Sequence, residues 1–236
     1  LVGYWPFCGN ANDESGNGNN GTVNGATLSD DRFGNANNAY DFDGTSSYIT
    51  INSLNNLQYK PISYSVWINP DSLETIIHPL GGGRVILGRE RAGYYDQGAL
   101  MIYHYPAASV NNDISYYIGQ TAAHASYTPQ LNSWLNITMT LSSQDTIKFY
   151  INGNLQYTQH FPTTSNANIP FKIGSGTEAD INLGRFFWNG KIDDIGIWNR
   201  ALTNQEIQEL YTGSTTTQAN SSYLWSTGDT TASITV

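Results

Sequence analysis

"TIKFYINGNLQYT", Thr146 to Thr158, reads as two alternating runs joined by Asn152-Gly153. Asn and Gly tolerate the positive φ that a two-residue hairpin turn requires, and such a pair between alternating runs is the strongest short-range hairpin signal. The expected register sets Phe149 and Ile151 against Leu155 and Tyr157. Outward from this hairpin the same pattern recurs. "AYDFDG", "SYITI", "ISYSVWINP", "RVILG", "GALMIYHY", "DISYYIG", "WLNITMTLS" and "KIDDIGIWNR" alternate or run apolar over strand length between Gly, Pro, Asn or Asp. Thr203 to Tyr211, "TNQEIQELY", reads as the one helix: Thr203 and Glu206 make a capping box, and Ile207, Leu210 and Tyr211 an apolar face. The fold class expected is all-β, a two-sheet antiparallel sandwich with one short C-terminal helix.

Composition agrees. A chain of 236 residues that is 39% hydrophobic, with 16 Tyr, 6 Trp and 23 Gly, has the strand formers and turn residues of one large β domain. A net charge of -9 with 10 Lys and Arg gives no clustered cations to track phosphates, so nucleic acid is excluded as a partner. No apolar run approaches the roughly 18 to 20 residues that span a bilayer, so no membrane insertion is expected. "LVGYWPF" lacks the basic start and cleavage site of a signal peptide, so any export signal is expected to have been removed. The single cysteine, Cys8, excludes an internal disulfide and a Cys-rich zinc site, and its expected role is a packed small hydrophobe. After Gly213 the composition turns to "TGSTTTQANSS". The expected organisation is a domain over 1–213, a linker over 214–221, and a strand-turn-strand segment over 222–236.

The polar stretch "NANDESGNGNNGTV", Asn10 to Val23, leaves two readings open. Counting from Asp13, oxygen-bearing side chains stand first, third and fifth (Asp13, Ser15, Asn17) and Gly18 sixth, like the start of a helix-loop-helix calcium loop. The match fails at the twelfth position, Asn24, and at the strand-like flanks "GYWPF" and "TVNGATL". What remains is either a solvated Asn/Gly-rich turn or an oxygen-lined cradle for a hard cation. Asp43, before Gly44, reads as a turn carboxylate.

Leu1 to Ile51, together with "SYSVWINPDS", "SWLNITMTLSSQDTIKFYINGNLQY" and "FFWNGKIDDIGIWNRALTNQEIQELY", resembles the bacterial laminin G-like domains of the concanavalin A-like lectin/glucanase superfamily, over about Leu1 to Tyr211. The resemblance implies a jelly roll with a structural calcium between the Asp13–Gly21 loop and the "IDD" strand, held by Asp13, Asn20 and Asp193. Adjacent strand residues point to opposite faces, so Asp193 and Asp194 cannot both ligate one ion without a bulge. The 222–236 segment resembles the opening of bacterial immunoglobulin-like repeats, with a terminal edge strand as the other reading. The former implies a larger modular surface protein.

No catalytic residues are expected. Retaining glycosidases set two carboxyls about 5 Å apart, whereas "EADIN" offers Glu178, Asp180 and then Asn182. His78, His104, His124 and His160 show no metal-binding or nucleophile spacing. Sugar sites instead combine aromatic faces with weakly charged polar groups. Two stretches have that mix, "RAGYYDQGALMIYHYP" to "NNDISYY" and "RFFWNG", and the candidate ligand-binding residues are Tyr94, Tyr95, His104 and Trp188. Alternation sets Tyr103 and Tyr105 on one face and His104 on the other. The expected function is a non-catalytic, calcium-stabilised carbohydrate-binding or adhesion module of a larger secreted or cell-surface protein. It is read as monomeric, with a glycan as partner and other surface proteins as further partners. A structural or protein-binding spacer is the alternative reading, and a polysaccharide-active enzyme the third.

Overall fold

The computed structural model describes residues 1–54, 57–73, 82–89, 98–105, 110–118, 121–162, 170–176 and 186–213. Among them are β1 (Gly3–Trp5), β2 (Thr22–Asn24), β3 (Thr27–Ser29), β4 (Ala39–Asp43), β5 (Tyr48–Ile51), β6 (Ile62–Pro70), β7 (Gly82–Gly88) and β8 (Ala99–Tyr105). Then follow β9 (Val110–Ile118), β10 (Thr121–Ala125), β11 (Leu135–Leu141), β12 (Thr146–Ile151), β13 (Asn154–His160), β14 (Phe171–Ile173), β15 (Asn189–Trp198) and the helix α1 (Asn204–Thr212). An eight-stranded sheet runs β13-β12-β11-β6-β15-β4-β3, with β1 also on β15, and a seven-stranded sheet runs β10-β9-β8-β7-β14-β5-β2. Every named pair is antiparallel. The protein is the expected two-sheet jelly-roll sandwich.

Period-two alternation builds the core between the sheets. Ile62, Tyr64, Val66 and Ile68 of β6 face inward against Leu100 and Ile102 of β8 and Ile114, Tyr116 and Ile118 of β9, all within one apolar cluster. The hairpin between β12 and β13 turns at Asn152 (φ 48) and Gly153 (φ 74), as its sequence requires. Its register departs from the expected one. Phe149 does face Tyr157, but a bulge after Phe149 sets Tyr150 opposite Leu155 and Ile151 opposite Asn154.

Thr203 caps α1 with the full box to Glu206, and Gly213 closes it in the left-handed conformation (φ 66). Ile207 packs with Tyr150 and Leu202 on the outer side of the eight-stranded sheet. Leu210, expected on the apolar face, is 38% exposed; Tyr211 stacks on Trp67 instead. Asp43 serves its turn: against the rise that burial gives, the Ser46 hydroxyl and the backbone N–H groups of Ser46, Thr45 and Ser47 donate to its carboxylate and hold it below the usual range.

Two expectations are corrected here. Cys8 is exposed, because the chain leaves the core after the buried Phe7, which adopts a positive φ of 55. Trp188, expected to offer its ring to a ligand, is 0% exposed and belongs to the main core; it lies beside β14, where its backbone N–H donates to the Gly174 carbonyl. The expected linker over 214–221 and segment over 222–236, together with Tyr94, Tyr95, Glu178, Asp180 and Asn182, fall outside the described residues. No helix among the described residues is long and apolar enough to cross a membrane.

Candidate functional site

The outer face of the seven-stranded sheet is aromatic where an open sheet face is usually polar. Residues of one parity on β8 (Ala99, Met101, Tyr103) and β9 (Tyr117) project there with Val85 of β7 and form a second apolar cluster, separate from the core. On the edge strand β10 the same parity brings out Ala122 and His124, with His124 opposite Ser115. The Tyr103 and Tyr117 rings lie 4.7 Å apart. His124 is parallel to Tyr103 at 6.1 Å and edge-on to Tyr117 at 5.5 Å. Tyr103 and Tyr117 are 3% and 9% exposed, whereas His124 is half-buried and gives the cluster its opening to solvent.

Polar groups order this imidazole. His124 Nδ1 lies 2.8 Å from Ser115 Oγ, which in turn lies 3.0 Å from the Asp113 carbonyl oxygen. Burial pushes the His124 pKa below its ordinary value, with the Asp113 charge pulling the other way, and burial raises the Asp113 carboxyl. The expected residue His104 lies nearby on β8, half-buried, just past a bulge that separates its pairing from that of Tyr103. Its Nδ1 is buried and makes no hydrogen bond. His124 was passed over in the sequence because "TAAHA" carries too little apolar signal to read as a strand. The available signal was the parity of Ser115 and Tyr117 in the neighbouring strand.

The second polar centre joins the amino-terminal loop to β15. Asp13 Oδ1 accepts from the backbone N–H of Tyr4 and Ser15, Oδ2 from that of Asn19, each at 2.9 Å. Asn20 Oδ1 accepts from the Asp13 N–H at 2.9 Å. On β15 a register shift between Asp193 and Gly196, with Asp194 at φ 46, is the bulge that two neighbouring carboxylates need to converge. They converge on Arg32, whose Nη1 donates to Asp193 Oδ2 at 2.9 Å and to Asp194 Oδ2 at 2.6 Å. The Tyr4 hydroxyl donates to Asp194 Oδ1 at 2.8 Å. The guanidinium carbon lies 4.5 Å from the ring centres of both Phe33 and Trp67, so aromatic faces complete the setting. Burial, followed by the Asp194 charge, raises the Asp193 carboxyl above the usual range, and Arg32 opposes them.

Calcium takes six to eight oxygens. Asp13 and Asn20 accept backbone N–H bonds that close a turn, and Asp193 faces the Arg32 guanidinium, so the chain itself supplies partners to all three. Among the described residues no group of three or more His, Cys, Asp or Glu is placed to hold a metal.

Residues 43–208 match the family described as the Concanavalin A-like lectin/glucanases superfamily. A 94-residue stretch, 40% of this chain, is 28% identical to botulinum neurotoxin type D of Clostridium botulinum D phage, and a 92-residue stretch, 37% of the chain, is 30% identical to human adhesion G-protein coupled receptor D1. These stretches span 7% and 10% of the two relatives' own lengths. In structure the chain is similar to domain 4 of AbnA, a GH43 extracellular arabinanase from Geobacillus stearothermophilus solved with arabinotriose. That match has a TM-score of 0.69 and 19% identity over 89% of this chain and 98% of that one. The botulinum neurotoxin serotype D binding domain matches with a TM-score of 0.63 and 20% identity, over 90% of this chain and 51% of that one. At these identities the structural matches show a shared fold.

Proposed function

Because this chain belongs to the Concanavalin A-like lectin/glucanases superfamily, we propose that it is a non-catalytic carbohydrate-binding module, working in glycan recognition or adhesion as part of a larger secreted or surface protein. The observation that carries this reading is the Tyr103–Tyr117–His124 cluster on the outer face of the seven-stranded sheet. The half-buried His124 ring, backed by the buried Tyr103 and Tyr117, fits a ligand that offers hydroxyls to a polar ring. The arabinotriose complex of the similar arabinanase domain, and the far greater length of the curated relatives, point the same way.

The non-catalytic part of the reading rests on how the reactive groups are engaged. Asp193 and Asp194, adjacent carboxylates of β15, are tied to Arg32, and the serine beside His124 is 0% exposed, out of reach of a substrate. In this reading Arg32, rather than a calcium, is the cation that the β15 carboxylates hold, and Tyr4 joins the amino-terminal loop to β15 through Asp13 and Asp194. A glycan array with affinity electrophoresis on polysaccharides tests the proposal. Retention on at least one polysaccharide without release of reducing ends is the result expected. No retention on a broad panel favours the spacer reading, and released reducing ends favour the enzyme.

A further inference from the structure

Ser115 Oγ is 0% exposed and has two polar neighbours, the Asp113 carbonyl at 3.0 Å and His124 Nδ1 at 2.8 Å. A hydroxyl has one proton. If it were given to His124, two bare acceptor oxygens, Ser115 Oγ and Asp113 O, would face each other at 3.0 Å with no water to relieve them. Both contacts are hydrogen bonds only when Ser115 donates to the Asp113 carbonyl and accepts from a protonated Nδ1. This chain of bonds selects one tautomer.

The other nitrogen then carries the lone pair. Nε2 makes no hydrogen bond to any described residue, and it is not among the buried polar atoms left without a partner, so it reaches solvent. The titratable groups beside the ring are Asp113, Tyr103 and Tyr117, and the neutral ring is the form that burial favours.

We propose that His124 is the hydrogen-bond acceptor of this surface, taking a hydroxyl proton of a neutral sugar on Nε2, with Ser115 and the Asp113 carbonyl as the groups that set its polarity. This rests on the carbohydrate-binding reading and adds to it the chemical sense of the contact. An uncharged, hydroxyl-donating glycan is selected over an anionic one, because Asp113 stands beside the ring and the chain carries a net charge of -9.

The test has a part that needs no ligand. Nitrogen-15 NMR of the imidazole rings at pH 7 is expected to show His124 with its proton on Nδ1, and Ser115→Ala to remove that bias. An Nε2-protonated ring in the wild-type protein overturns the assignment. In affinity electrophoresis against neutral polysaccharides, His124→Ala is expected to weaken retention about tenfold, the loss of one hydrogen bond, while His124→Gln, which still offers an acceptor oxygen, keeps part of it. Lowering the pH through the depressed His124 pKa puts a proton on Nε2, so wild-type retention falls while that of His124→Gln does not. Wild-type retention that His124→Ala leaves unchanged overturns the proposal and leaves the module reading standing. Wild-type protein retained by no polysaccharide ends both, whatever the tautomer.

Discussion

The two sheets share a core but treat their outer faces in opposite ways. On the eight-stranded sheet the outward groups are engaged with one another: α1 covers Tyr150 and Leu202, the Tyr150 hydroxyl donates to Asn204, and Arg32 joins Asp193, Asp194, Phe33 and Trp67. On the seven-stranded sheet the outward groups form an aromatic cluster that ends at a histidine whose Nε2 bonds to none of the described residues. The difference teaches a division of labour. One face is spent on tying distant chain segments together, and the other retains a group able to meet a ligand.

The largest effect that tests this contrast is expected at Arg32. Its side chain is 17% exposed and that of Asp193 3%, so Arg32→Ala strands a buried carboxylate without its cation, and a loss of about 3 to 5 kcal/mol is expected in urea denaturation. Polysaccharide retention by the protein that remains folded is expected to be unchanged. Arg32→Ala protein with wild-type stability would remove the tying role from that face.

On the other face the order reverses. His124→Ala is expected to cost stability only within about 1 kcal/mol, the scale of one hydrogen bond, while changing glycan retention. A His124→Ala protein that unfolds as readily as Arg32→Ala would make both faces structural.

Smaller effects lie along α1. Thr203→Ala removes the cap and is expected to cost about 1 kcal/mol. Glu206 is held down to about 2 by its pair with Arg200 and by its bonds to Thr203. A depressed carboxyl contributes stability that is complete above its unfolded value and is lost as pH falls towards 2. The pair is partly exposed, 49% at Arg200, so the gap between wild type and Glu206→Gln is expected to be about 0.5 kcal/mol at pH 7 and to close as pH falls through about 2. The smallest effect is expected from EDTA. With Arg32 in the cation's place, the melting temperature is expected to stay where it was. A drop of several degrees on chelation, reversed by calcium, would return a metal to the amino-terminal loop.

Much of the frame was legible because it is local. The Asn152-Gly153 turn, the Thr203–Glu206 box and the alternation of β6 depend on residues within a few positions of one another, and all appear as expected. The constraint at Asp193 and Asp194 was legible too: two neighbours on a strand need a bulge to converge, and the bulge is present. Other features had no local signal. "TVNGATL" reads as one strand-like piece, yet the chain breaks at Gly25 (φ 76), sending β2 to the seven-stranded sheet and β3 to the eight-stranded one. The bulge after Phe149 moved a register that simple alternation had set one residue away. β10, with three alanines around His124, gave no periodicity to read.

By itself the sequence determined the class of fold, most strand positions, the hairpin and the capped helix, since period, turn chemistry and caps act over a few residues. Tertiary structure alone decided which side chains would meet. Arg32 reaches Asp193 across 161 positions, and Tyr4 reaches Asp194 across 190. Trp188, expected on a ligand face, is sealed in the core, while His124, which carried no site signal in the sequence, lies half-buried on an outer face. The physical reason is that alternation states which residues share a face, but the strands and helices that pack against a face decide whether it is covered.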